Sequence, residues 1–166
     1  MATIEQLGPD DWQEFREIRM RALADAPTAF SMTLADAEEQ PEEVWRGRLD
    51  QGDPILAVRD GDRLVAMGGG WRPPEDPDRV MVWGMWTAPE ARGRGYARAL
   101  LDHLVDDARS YGASTVELHV TEGNDNARRL YEDCDFIATG EWTPLREGSR
   151  LRIELLRLTF RPRPRH

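Results

Sequence analysis

The sequence predicts a single mixed α/β (α+β) domain whose sheet is mostly antiparallel. Three observations predict it. Apolar residues recur at helical spacing in some segments, and alternate or run continuously in others. Strand-like segments follow one another without a helix between them in two places, which favours antiparallel pairing. One strand-helix-strand crossover, through residues 80–120, should make two neighbouring strands parallel.

The first half of the chain predicts one weak strand, residues 2–8, followed by two helices. The first helix places a face of apolar residues at helical spacing and ends before Pro27. Residues 28–40 are irregular by pattern, and the second helix lies within residues 41–52, where Pro41 and two glutamates suit a helix start. The apolar face of the first helix consists of Trp12, Phe15, Ile18 and Ala22.

The second half predicts six strands and two helices. Each helix has a recognisable end: the first follows Tyr96 and stops at Gly112, and the second is capped by Asn124 or Asp125. The whole order is β, α, α, β, β, β, α, β, α, β, β, with about four helices. The domain covers residues 1–160, and residues 161–166 form a frayed tail. The strand segments are 54–60, 63–71, 79–88, 112–120 and a final pair within 136–160.

Composition excludes several classes of function. The formal net charge of −9 argues against nucleic-acid binding. The start of the chain lacks the basic and apolar runs of a secretory signal, and no segment is long enough to span a bilayer, so a cytoplasmic protein without a membrane partner is expected. The chain has one cysteine, Cys134, and three scattered histidines, so neither an internal disulfide nor a metal site is expected. All basic side chains are arginine, which excludes a catalytic lysine.

The segment "PEARGRGYARALLDHL", residues 89–104, combines exposed backbone with positive charge at a helix start. The first N–H groups of a helix have no hydrogen-bond partner inside the helix. The glycines at this point have no side chain that could shield these groups. Together with the helix dipole they form a site for a phosphate or diphosphate. A glycine-rich turn that only lets the helix pack is the alternative. A dinucleotide-binding fold is disfavoured because Arg98 stands where that motif needs its third glycine.

Two motifs in the sequence resemble those of one known protein family. "RGRGYA", residues 92–97, matches the pattern [Gln/Arg]-x-x-Gly-x-[Gly/Ala] of the GNAT superfamily of N-acetyltransferases, and "NDNARRLYEDCDF", residues 124–136, resembles its later helix segment. The element order fits the superfamily across nearly the whole chain. One departure is Asp135, where the pattern has glycine. Because aspartate tolerates positive φ better than most residues, Asp135 is expected in the left-handed region.

The resemblance implies a fold with a splayed parallel strand pair and acetyl-CoA as the donor, with no metal. The diphosphate would lie on the N–H groups of residues 92–97, and the pantetheine would run between the two parallel strands. Either Arg128 or Arg129 would reach the nucleotide phosphate, with merely solvated helix arginines as the alternative. The residues that the resemblance places against acetyl-CoA are Trp86, Thr87, Arg92, Gly93, Arg94, Gly95, Tyr96, Ala97, Asn124, Ala127 and Arg128.

The implied reaction is attack of a primary amine on the acetyl group through a tetrahedral intermediate. By resemblance, Tyr131 is the general acid for the leaving thiolate, although a core aromatic is the alternative. A histidine has a suitable pKa to act as the base, which makes His119 one candidate. Glu117, on the same strand face, is a second candidate, and a water chain without a single base is the third.

The acceptor is the least determined part of the prediction. The resemblance implies a small molecule or peptide amine, bound by the first helices and the last hairpin. Acidic side chains at Asp36, Glu38 and Glu39 could attract an amine or be merely solvated. A non-catalytic CoA-binding sensor is the alternative function, and a homodimer is possible. The candidate wall residues of the acceptor pocket are Phe30, Met32, Trp83 and Trp142.

Overall fold

The computed structural model describes residues 2–161, which form one seven-stranded sheet with helices on both faces. The strand order is β1-β2-β3-β4-β5-β7-β6, and every neighbouring pair is antiparallel except β4 and β5. The strands are β1 (Ala2–Gln6), β2 (Ile55–Asp60), β3 (Arg63–Trp71), β4 (Arg79–Thr87), β5 (Thr115–Thr121), β6 (Ile137–Pro144) and β7 (Arg152–Thr159). The helices are α1 (Trp12–Asp25), α2 (Leu34–Glu38), α3 (Glu42–Leu49), α4 (Tyr96–Tyr111) and α5 (Asp125–Asp133).

The predicted element order is confirmed except for one additional helix, α2, and the parallel crossover through α4 is confirmed. The frayed tail was predicted for residues 161–166, of which 162–166 lie outside the described part of the chain.

The short helix α2 lies in a segment for which the sequence predicted irregular structure. Its start is capped by the Thr33 hydroxyl, which accepts a hydrogen bond of 3.1 Å from the backbone N–H of Asp36. Its single fully buried residue, Ala37, packs into the core. With so few residues α2 has almost no amphipathic pattern, so the prediction for this segment was wrong for lack of a periodic signal.

The two faces of the sheet carry different helices. An added side chain at Gly68 would meet Leu104 of α4, whereas one at the next residue, Gly69, would meet Trp83. The Trp83 ring lies edge-on to Phe15 of α1, with their centroids 6.4 Å apart. Since successive residues of a strand point to opposite faces, α4 covers one face and α1 covers the other.

The parallel strands β4 and β5 separate along their length. They pair from Arg79–Thr115 to Met81–Glu117 and no further, although both strands continue. Beyond this point β4 contains a bulge against β3, where two residues, Gly84 and Met85, lie opposite one. Gly84 has φ of +67°, a conformation that few other residues adopt. A splayed pair is therefore present, as predicted.

The residue that departs from the family pattern adopts the predicted conformation. Asp135 has φ of 73° and follows the end of α5. The backbone N–H of Phe136 donates to the Tyr131 carbonyl at 3.0 Å across this turn, a contact typical of helix ends that use a left-handed residue.

Substitution of Gly69 by alanine is expected to destabilise the sheet by about 1–3 kcal/mol through overpacking. A Cβ there would lie 2.5 Å from the indole of Trp83, which is held between sheet and helix. Gly47→Ala is the matched control, because Gly47 lies in α3 with open space around its Cβ position. Urea unfolding should show a lower midpoint for Gly69→Ala and an unchanged or higher one for Gly47→Ala. Equal midpoints for the two variants would contradict the described packing of Trp83.

Candidate active site

The N-terminus of α4 presents a row of free backbone donors. The helix begins at Tyr96 after Gly95, whose φ is 81°. The structure gives the N–H groups of residues 93–98 no hydrogen-bond partner among residues 2–161. Unpaired amides at the positive end of a 16-residue helix form a site for an anion such as a diphosphate.

Two of the arginines that precede α4 are held by carboxylates. Arg92 donates through Nε to the Thr87 carbonyl at 3.1 Å and through Nη2 to Asp25 at 2.6 Å. Arg94 Nη1 lies 3.4 Å from Asp60. These contacts order the loop, and they partly neutralise the two guanidinium groups. Arg98, which the sequence did not single out as a ligand, lies at the opening of the site without an ion pair to any residue between 2 and 161.

Asp25 joins the end of α1 to both sides of the site. Its Oδ2 accepts hydrogen bonds from Trp86 Nε1 at 3.0 Å and from Arg92 Nη2 at 2.6 Å. The Trp86 hydrogen bond is the main reason that the pKa of Asp25 is lowered, and Arg92 adds to it against some desolvation. One carboxylate therefore fixes the end of β4 and the loop before α4 relative to each other.

A cavity of about 500 Å³ connects these donors with the end of β4, beyond the point where β4 parts from β5. Apolar groups from the loop after α1 and from α5 form its walls, and the start of α4 forms one end. Sequence analysis did not select Asn126, Met85 or Leu130, which also line it. The cavity residues that the sequence did select are Phe30, Trp86, Thr87, Arg92, Gly93, Gly95, Tyr96, Ala97, Asn124, Ala127 and Tyr131.

Asn124 shows how a cavity residue is positioned. Its Oδ1 accepts from the backbone N–H of Ala127 at 3.4 Å, which caps α5 as the sequence predicted. Arg128, in contrast, does not line the cavity. Its Nη2 lies 2.7 Å from the buried carboxylate of Glu154 in β7, so this guanidinium stabilises the contact of α5 with the sheet.

Tyr131 faces the cavity from α5. The residue is 7% exposed, and burial raises the pKa of its phenol to about 12. Its ring packs near Phe136, with the centroids 6.3 Å apart, which restrains it. The phenol therefore keeps its proton throughout the neutral range and can donate it or a hydrogen bond.

The two candidate bases have different surroundings on β5. Glu117 is 1% exposed and is held by Arg157 at 2.8 Å and Arg79 at 3.3 Å, in the part of β5 that still pairs with β4. His119 lies two residues further along β5, on the same face, and is exposed. It lines neither this cavity nor the second cavity, which is described below. Partial burial lowers the pKa of His119, an effect that Glu117 opposes and Arg79 reinforces. His119 is therefore neutral at pH 7 and can accept a proton.

The four candidate acceptor residues are not brought together. Phe30 lines the cavity beside α4, whereas Met32 and Trp83 line a second cavity of about 360 Å³ on the α1 face. Trp142, on β6, lines neither and lies under the guanidinium of Arg152, 4.8 Å from the ring centroid.

The structure also bears on metal and membrane binding. Among residues 2–161, no three His, Cys, Asp or Glu side chains are grouped as metal ligands. No helix within this range is both long enough and apolar enough to cross a membrane.

Comparison with known proteins identifies the family. The model of the acetyltransferase (GNAT) family matches residues 12–136, which include the α4 start, the strand gap and Tyr131. The chain belongs to the GNAT acetyltransferase family. The resemblance carried by the two motifs is therefore confirmed.

Individual GNAT relatives agree with this assignment. A mycothiol acetyltransferase from Brachybacterium faecium is 32% identical over 158 residues, covering 89% of this chain and 46% of that protein. The chain thus spans about half the length of the curated relatives it matches. The fold matches yncA from Salmonella typhimurium, solved with acetyl-CoA, with a TM-score of 0.80 and 19% identity over 100% of this chain and 98% of that chain. It also matches a GNAT acetyltransferase from Streptococcus pneumoniae, with a TM-score of 0.83 and 14% identity over 96% of this chain and 99% of that chain.

Removal of the Asp25 carboxylate is expected to weaken donor binding more than it weakens the fold. Asp25→Ala frees Trp86 and Arg92, and should raise the Kd for CoA about tenfold while lowering stability by about 1 kcal/mol, since the carboxylate is partly exposed. Calorimetric titration and urea unfolding measure the two effects. Asp36→Ala serves as a control, because Asp36 lies in α2 away from this cavity. Unchanged CoA affinity in Asp25→Ala would show that Asp25 does not organise the site.

Proposed function

We propose that this protein transfers an acetyl group from acetyl-CoA to a primary amine of a small molecule or peptide. The observation that carries the proposal is one cavity that joins the free amides of α4 to the end of β4, where that strand no longer pairs with β5. Such a cavity suits a long ligand with an anionic middle and an apolar arm. Family membership and the acetyl-CoA-containing structural relative support the same donor.

The chain's own groups account for the binding of each part of the donor. The N–H groups of residues 93–98 receive the diphosphate, and Arg98 adds an unpaired positive charge at the opening. Asn124 and Ala127 line the path of the pantetheine arm. Acetyl-CoA supplies an acetyl thioester, which the cavity directs to the end of β4 near Trp86 and Thr87.

Two groups are positioned to favour the chemistry. The edge of β4 beyond Met81 has no strand partner on its β5 side, so a backbone N–H there can stabilise negative charge on the reacting carbonyl oxygen. Tyr131 holds a proton for the thiolate that leaves.

The base is assigned to His119 or to water. Glu117 is buried and both of its carboxylate oxygens accept hydrogen bonds from arginines, so neither oxygen is free to reach an amine. His119 is neutral and exposed on β5, so it can accept a proton from an approaching amine. A water chain fits if His119 proves dispensable.

Donor binding is expected to stabilise the protein in a way that depends on the α4 amides. At a concentration a hundredfold above Kd, CoA or acetyl-CoA should stabilise the fold by about 2.7 kcal/mol, or about 5–10 °C. ATP, which has no pantetheine arm, should shift Tm much less. Ala97→Asp should abolish the CoA shift because its carboxylate repels the diphosphate, although an acidic residue in the first turn favours the helix itself.

His103→Asp is the matched control for this thermal-shift measurement. It places the same carboxylate on an exposed position of α4 outside the cavity, and should keep the full shift. Equal shifts with ATP and CoA in the unmodified protein would refute the proposed donor.

Loss of the Tyr131 hydroxyl is expected to slow turnover without loss of donor binding. Tyr131→Phe should lower kcat about tenfold, a modest effect because a thiolate leaves fairly well unaided. Since the pKa of Tyr131 is about 12, the phenol stays protonated below that value, and the pH profile should show no alkaline decline from this group below about pH 10. Release of free thiol measures kcat, and the CoA thermal shift is the binding control. Unchanged turnover would show that Tyr131 only packs.

A further inference from the structure

A second cavity of about 360 Å³ lies on the α1 face of the sheet, away from the start of α4. Its walls are largely apolar and come from β2, β3, β4 and the loop after α1. They include the large side chains of Met32, Met81 and Trp83. The charged residues that face it are Arg19, Arg48 and Asp53.

Arg19 is a buried cation without a partner. The residue is 6% exposed, and neither Nε nor Nη1 has a hydrogen-bond partner among residues 2–161. Its guanidinium stacks on the aromatic rings of Phe30, at 4.9 Å from the ring centroid, and Trp83, at 5.6 Å. Burial lowers the pKa of Arg19 to about 10, and Arg48 lowers it as well, so it remains a cation at neutral pH. An unpaired buried charge is costly, and a guanidinium in a cavity wall is expected to serve a ligand.

The other charges of this cavity leave Arg19 uncompensated. Arg48 adds a second guanidinium, stacked at 5.1 Å from Trp45 and also desolvated, which lowers its pKa. Asp53, the one carboxylate among the described lining residues, lies 3.8 Å from Nε of Arg72. The cavity therefore has an excess of positive charge, in contrast to the net negative charge of the whole chain.

Arg19 also lies next to the reaction centre. Its Nη1 would be 3.4 Å from a Cβ at Gly84, the residue that forms the bulge of β4. The next two residues of that strand, Met85 and Trp86, line the donor cavity. Phe30, which the Arg19 guanidinium stacks on, lines the donor cavity too. A ligand that reaches the thioester from the α1 face therefore passes Arg19.

We propose that the acceptor is an amine that also carries a carboxylate, and that Arg19 binds this carboxylate. The inference rests on the proposed function and names the class of its acceptor. A guanidinium presents paired N–H donors that match the two oxygens of a carboxylate, and binding there gives an acceptor to one of the buried donors of Arg19 that has none among residues 2–161. The apolar walls contact the carbon chain, while the amine lies at the gap between β4 and β5. Asp53 favours a group with a single negative charge over a phosphate.

The test compares matched pairs of acceptors. α-Amino acids and ω-aminocarboxylates of increasing chain length are each assayed beside their primary amide, with acetyl-CoA as donor and thiol release as the measurement. The acids should be preferred by about tenfold or more in kcat/KM. A second measurement, the thermal shift that each compound adds to the CoA-bound protein, should show the same preference. The absence of an acid preference in every pair, in both measurements, would overturn the proposal.

Variants separate the role of Arg19 from that of charge in general. Arg19→Met should reduce the acid-to-amide ratio to about one, while Arg46→Met, an exposed arginine of α3, should leave it unchanged. Arg19→Met removes an unpaired buried charge, so it should fold and keep its CoA shift. An acid preference that survives in Arg19→Met, or a preference for aminophosphonates over the matched carboxylates, would overturn the assignment. Failure of CoA to bind would instead refute the proposed function, whatever the acceptor results.

Discussion

The separation of β4 from β5 after Met81 and Glu117 is the constraint on which the rest of the site depends. Two parallel strands that paired along their full length would satisfy each other's backbone groups and leave no space between them. The bulge at Gly84 bends β4 away, and the ion pairs of Glu117 with Arg79 and Arg157 hold the strands together just before they part. The gap thus begins at a defined residue rather than along a loosely paired edge.

Charge in the donor site comes mainly from the backbone. The loop before α4 looks strongly basic in sequence, yet Arg92 and Arg94 are bound to the carboxylates of Asp25 and Asp60. Their structural effect is to hold the loop in the conformation in which its amides point into the cavity. Such a site can bind a diphosphate through fixed dipoles without presenting a large positive patch, which fits an acidic protein.

Local patterns in the sequence predicted the fold, the start and end of α4, the cap of α5 and the conformation of Asp135. What could not be predicted depends on contacts between distant segments. Asp25 reaches Arg92 across 67 residues, and nothing in its own neighbourhood marks it as part of the site. Arg128 was a candidate for binding the nucleotide phosphate, but its ion pair with Glu154 exists only because β7 packs beside α5.

On the acceptor side, contacts between distant segments matter even more, and less could be predicted from the sequence. Arg19 lies on the apolar face of α1. From the sequence alone, an arginine at this position is expected to be an exposed side chain at the edge of that face. Its burial follows from the positions of Phe30 and Trp83, which belong to a loop and a strand that come later in the chain. Trp142, chosen because large aromatic residues often line pockets, lies instead at the surface of β6 among arginines.

Phe30 lines the donor cavity, and its ring also stacks against Arg19, the buried cation of the second cavity. A ligand that moves or immobilises this ring in one cavity changes the free energy of binding in the other. Thermodynamic linkage makes that influence equal in both directions, so whichever substrate enters first would set the affinity for the second. A single shared phenyl group is thereby sufficient to couple the binding free energies of the two cavities.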